Sequence, residues 1–156
     1  MDYKEYRKSA IRHLQTCQYL LKDIDSHKTE LQKNFLLNVY YLSGYVVETA
    51  LSYAFFSHIK HKGDVATNID YKNRFKTHNF NTKVKVIYEK RGNLSSVPFV
   101  HRKIEDPKLT LLFNSWSTDF RYCTNDTIKE HNISEEILRK YLSHLEELLK
   151  IILNRF

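Results

Sequence analysis

Glycine and proline are scarce, with three and two among 156 residues. So few turn formers exclude a sandwich or barrel of seven or more short strands. Two cysteines, Cys17 and Cys123, exclude a disulfide-stapled scaffold and a four-cysteine zinc site. The N-terminal MDYKEYRKSA has no apolar core of a secretory signal. The most apolar stretch, Val39 to Ile59, is about the length of a membrane span. It carries Glu48, Ser43, Thr49, Ser52 and Ser57, and each charge inside a bilayer costs a few kcal/mol. The expectation is a buried helix in a soluble bundle, with no membrane partner and a cytoplasmic location.

What is present fits one domain over 1–156, with 42% hydrophobic and 28% charged residues. Few breakers mean long uninterrupted elements, and those are helices. Charge is unevenly placed. Residues 1–59 carry a net +1, residues 60–103 a net +8 and residues 104–156 a net −2. A basic, loop-rich insertion at about 60–103 thus holds nearly all the excess. Such asymmetry points to a polyanion partner, against a solvated lysine-rich loop as the plain alternative.

Periodicity predicts an all-α, up-and-down bundle of four to five helices. Residues 3–24 place Tyr3, Tyr6, Ala10, Leu14, Cys17, Leu21 and Ile24 on one helical face. A second helix spans Thr29 to about Ile59, with Thr29 and Gln32 spaced as a capping box. Its centre is apolar nearly all round, and Gly44 there would let another helix approach closely. Residues 61–77 read as a loop. A short helix follows from Thr82 to Lys90, with Val84, Ile87 and Tyr88 inward and Gly92 just beyond. Residues 93–106 read as a second irregular connection. Asp106-Pro107 opens another helix. In the last helix, capped by Asn132 with Glu135 three residues on, Leu138, Tyr141, Leu142, Leu145, Leu148, Leu149 and Ile152 form a continuous stripe.

Several residues are candidates for chemistry. Lys72, Arg74 and Lys76 alternate with Tyr71 and Phe75, as phosphate contacts with base stacking would require. Arg121 lies among Trp116, Phe120 and Tyr122, aromatics that could stack on bases or belong to the core. Glu48 is alone in the apolar helix, and a buried carboxylate needs a partner. The reading is a structural bond, to Arg121 or a cation of the first helix, or a place in a dimer cleft. His58 and His61 have a helical metal-ligand spacing but no evident third ligand, so no metal and no cofactor are expected.

Tyr41-Leu-Ser-Gly-Tyr-Val-Val-Glu-Thr-Ala-Leu resembles the second-helix signature of HEPN domains (higher eukaryotes and prokaryotes nucleotide-binding). The matching positions are Tyr41, Leu42, Gly44, Tyr45, Glu48, Ala50 and Leu51. Arg12-His13-Leu14, His78-Asn-Phe and Trp116 with Arg121-Tyr122 fall in the order such proteins show. Ser52 stands where that signature often has lysine, so an anion contact made there would be missing. The resemblance implies a homodimer that binds RNA or a nucleotide, in a toxin–antitoxin or phage-defence setting. Active members resemble one another in an Arg-x4-6-His motif for metal-independent RNA cleavage: arginine stabilises the phosphorane and histidine moves the 2′-hydroxyl proton. Arg139 to His144 matches literally, as does Arg7 to His13. Five residues apart, Arg139 and His144 diverge by about 140° around a helix. Lys140 stands where the motif prefers a polar residue such as Asn. Arg121 suits the loop-to-helix position, but no histidine follows it within six residues.

These residues leave three functions open. The first is a HEPN-like RNA- or nucleotide-binding protein with degenerate or absent catalysis. The second is an active ribonuclease using Arg139 and His144. The third is a non-enzymatic module pairing with a nucleotidyltransferase. The tyrosine that such a partner modifies in some relatives is here Glu146.

Overall fold

The computed structural model describes residues 1–22, 24, 29–91, 106–123 and 125–156. Within these residues every regular element is a helix or helical turn. Helix α1 spans Lys4–Lys22, α2 Thr29–His58, α3 Phe80–Arg91, α4 Pro107–Ser115, α5 Asn125–Glu130 and α6 Glu135–Arg155. Shorter turns occupy Val65–Thr67, Tyr71–Phe75 and Thr118–Tyr122. No described helix is long and apolar enough to cross a membrane.

The apolar stripes close one core. Ala10, Leu14, Cys17 and Leu21 of α1 meet Val39, Val46, Val47, Ala50 and Ala54 of α2. The α6 stripe from Leu138 to Ile152 is buried at every expected position, and Ile137 joins it. Polar residues survive inside α2 because their hydroxyls bond back to the preceding turn: Ser43 to the Tyr40 carbonyl, Thr49 to Tyr45 and Ser52 to Glu48.

The bundle departs from simple up-and-down order. Ring pairs between Tyr3 and Tyr53 and between His13 and Tyr45 set α1 antiparallel to α2. Tyr40 against Tyr141, and Ser57 Oγ donating to the Phe156 carbonyl, set α6 parallel to α2. Glu48 meets His78, Ser52 meets Lys83 and His58 meets Lys90, so α3 also runs parallel to α2. The segment between α2 and α3 must therefore double back along α2. It does so as ordered turns rather than the expected loop. Asp64 caps the first turn through the Ala66 amide, Val65 N–H bonds the Met1 carbonyl, and Lys60 and Gly63 take positive φ at the reversal.

Three local expectations are corrected. Phe75 is fully buried, stacked on Phe55 at 4.3 Å, so it offers no face to a base. Tyr88 faces solvent, while Lys83 and Val86 turn inward, because α3 begins at Phe80 and its phase follows Phe80, Lys83 and Ile87. Ser134, not Asn132, caps α6 by accepting from the Ile137 amide; Asn132 holds the left-handed turn before it. Gln32 donates to the Ile24 carbonyl, and the expected cap through the Thr29 side chain lies outside what the structure describes. The short α5 and the turn at Thr118–Tyr122 have no clear period in the sequence. Asp106 caps α4 through the Lys108 amide as expected. Gly92, residues 93–105 with Arg102 and Lys103, and the Asp23–Lys28 connection apart from Ile24 lie outside the described residues.

Gly44 accommodates an indole rather than a second helix. A Cβ there would overlap the ring of Trp116. That ring stacks on Phe80 at 5.0 Å, meets Tyr45 edge-on, and donates Nε1–H to the Tyr41 carbonyl at 3.0 Å. One missing side chain thus fixes the C-terminal end of α4 against α2 and, with it, the following turn that carries Arg121.

Candidate functional site

Glu48 sits midway along α2, on the side facing α3. Its carboxylate is 18% exposed, and Oε2 lies 2.8 Å from Nδ1 of His78, whose side chain is 57% exposed. The partner of the lone acid is therefore His78, not Arg121 or a cation of α1. His78 is held just ahead of α3, where Asn79 Oδ1 accepts from the Thr82 amide and the Asn79 carbonyl from the Lys83 amide. An ionised carboxylate only accepts, so Nδ1–H is the donor and the Nε2 edge lies on the far side of the ring.

Behind this pair is Lys83, 1% exposed. Its ammonium donates to the Phe75 carbonyl at 3.0 Å and to Ser52 Oγ at 3.4 Å, and lies 4.3 Å from the Phe75 ring centroid. Burial pulls it down to about 8 against the pull of the Glu48 carboxylate. Position 52 thus carries no lysine of its own, yet an ammonium reaches Ser52 from α3. Sequence reasoning missed Lys83. The available signal was its place between Phe80 and Ile87 at spacings of three and four, the inward phase of α3.

Phenols border the carboxylate. Tyr6 and Tyr71 bring their hydroxyls within 2.9 Å of each other, as do Tyr45 and Tyr41. Tyr45 is pushed up to about 12 by burial, the Tyr41 bond and the charge of Glu48, with Arg121 opposing. Both charges therefore lie within electrostatic reach of one phenol. The Arg121 guanidinium stands 4.7 Å over the ring of Tyr122, which is 74% exposed, whereas Trp116 and Phe120 are core.

Arg139 and His144 are placed differently. Arg139 donates Nε–H to Glu135 at 2.6 Å and an Nη2 hydrogen to the Leu21 carbonyl at 2.7 Å, closing the C-terminal end of α1. It borders a recess of about 220 Å³ with Gln18, Leu21, Leu142, Ser143 and Glu146. His144 is half-buried and is not among the residues lining that recess.

In the basic segment, Lys72 and Lys76 are exposed, and Arg74 is paired with Glu89. Asp70 pairs with Lys90 at 2.7 Å, and Asp64 pairs with the N-terminal ammonium. His58 Nε2 and His61 Nε2 each lie against a backbone carbonyl, of Lys90 and Asp64. Among the described residues no group of three potential ligands could hold a metal ion.

No family model, curated protein or solved structure matches this chain. The functional reading therefore rests on the residues themselves.

Proposed function

We propose that this chain is a HEPN-like RNA- or nucleotide-binding protein in which Arg139 and His144 do not form a catalytic pair. One observation carries the binding reading. Asp64, Asp70 and Glu89, all the acids of the basic segment, are each engaged by a cation. Lys60, Lys62, Lys72, Lys76 and Lys85 remain exposed and make no ion pair among the described residues. Their charge is available to an external polyanion, and phosphates displace counterions from such a surface. The engagement of Arg139 by Glu135 and by the end of α1 supports a structural role for that residue.

The test is a salt titration of affinity for labelled single-stranded RNA. Affinity should fall steeply with salt. Lys72→Glu with Lys76→Glu should flatten the slope by about one for each phosphate the protein no longer neutralises. Absence of RNA affinity at low salt would remove this reading and favour a protein-pairing module.

A further inference from the structure

We propose that Lys83 is a positioning residue of the RNA-binding surface: it touches no RNA itself, but holds the turn at Tyr71–Phe75 so that Lys72 and Lys76 face outward together. The proposal rests on the RNA-binding reading and deepens it.

That turn has little to hold it by itself. It is one wide turn, closed by the Lys76 amide on the Tyr71 carbonyl at 2.7 Å. So short a segment lacks the length that stabilises a helix, and its placement depends on its ties. Two of its rings are turned inward: the Tyr71 hydroxyl meets that of Tyr6, and Phe75 stacks on Phe55. Lys72, Asn73 and Lys76 are exposed. Two ion pairs join this stretch to α3, Arg74 with Glu89 and Asp70 with Lys90. Both are partly exposed, so salt weakens them.

Lys83 is a tie of another kind. It reaches the turn from α3 out of contact with water. Its ammonium bonds the Phe75 carbonyl, lies over the Phe75 ring and anchors on Ser52 of α2. One cation thus fixes the backbone and the ring of the same residue between two helices. A methionine would fill this volume without taking a charge out of water, and burial does disfavour the ammonium here. What a donor supplies and a thioether does not is direction: bonds that set the rotation of the turn, and so the side on which Lys72 and Lys76 emerge. A turn held in advance needs no ordering when RNA arrives. A turn held only part of the time lowers affinity in proportion to the time it is in place.

The experiment compares the full chain with its Lys83→Met and Ser52→Ala variants. Each is titrated with labelled single-stranded RNA across a range of salt concentrations, with amide hydrogen exchange measured alongside. Lys83→Met should bind about 10-fold more weakly at every salt concentration, as for a turn in place about a tenth of the time. Its salt slope should equal that of the wild type, because no phosphate contact is lost. The Lys76 amide should exchange faster in this variant, while the amides of α6 should not. Ser52→Ala removes one anchor of the ammonium and little volume. It should weaken binding about 2-fold at unchanged slope, and it decides the matter if Lys83→Met does not fold. Affinity equal to wild type in the folded variants overturns the proposal and leaves the binding reading standing. So does a loss that shrinks as salt rises, since Lys83 would then act as one more charge, or a loss with no change at the Lys76 amide. A wild-type chain that binds no RNA at low salt sinks both readings.

Discussion

Arg139 and His144 are five residues apart on one helix, and only Arg139 lines the recess between α1 and α6. Glu48 and His78 are thirty apart on different elements, and their side chains meet at 2.8 Å. A helix separates what spacing brings close, because five residues turn the chain well past one revolution. Packing α3 parallel to α2 does the reverse, aligning two segments that the sequence keeps apart. Spacing along one helix therefore does not by itself bring two side chains together, whereas the packing of two elements does.

The most disruptive way to break the assembled side is Gly44→Ala. The new methyl would overlap the Trp116 indole, which cannot leave without surrendering its stack on Phe80 and its bond to Tyr41. A loss of about 3 kcal/mol or more is expected in urea unfolding, together with displacement of the Arg121 turn. A wild-type melting curve would contradict this packing.

Next is Lys83, which ties α3 to the turn at Tyr71–Phe75. Lys83→Ala should cost about 2–4 kcal/mol through a cavity and unpaired carbonyl. Lys83→Met keeps the volume and isolates the charge. The folded ammonium titrates at about 8, below its ordinary 10.5. Between those values the unfolded chain retains a proton that the folded chain has released. Folding therefore strengthens as pH rises through that window, and the penalty is complete below it. From pH 7.5 to 9.5 the wild type should gain about 2 kcal/mol relative to Lys83→Met. A constant difference would show that the ammonium is not held as described.

The helix-borne pair offers a smaller contrast. Arg139→Ala removes two charge-assisted bonds from a half-exposed guanidinium and should cost about 1–2 kcal/mol. RNA affinity should not change. Unaltered stability with weakened affinity would show that Arg139 meets RNA rather than closing the end of α1.

The smallest effect is expected at Tyr141, whose buried hydroxyl has no hydrogen-bond partner among the described residues. Tyr141→Phe should be neutral or stabilising by up to about 1 kcal/mol in the same assay. A clear loss would reveal a partner for that hydroxyl.

The sequence alone determined the helical class, the α1 and α6 stripes and the Asp106-Pro107 start of α4, since burial of one face imposes a period that a reader can count. It also located the basic segment and singled out Glu48 as an acid in need of a partner. Which partner, and from which element, was decided only by tertiary structure. His78 and Lys83 reach the α2 face because α3 docks parallel to it, and Phe75 leaves the surface because its turn folds back onto Phe55. Local periodicity records which side of a helix is buried. It carries no information about what lies against that side, because that depends on the direction in which later elements return.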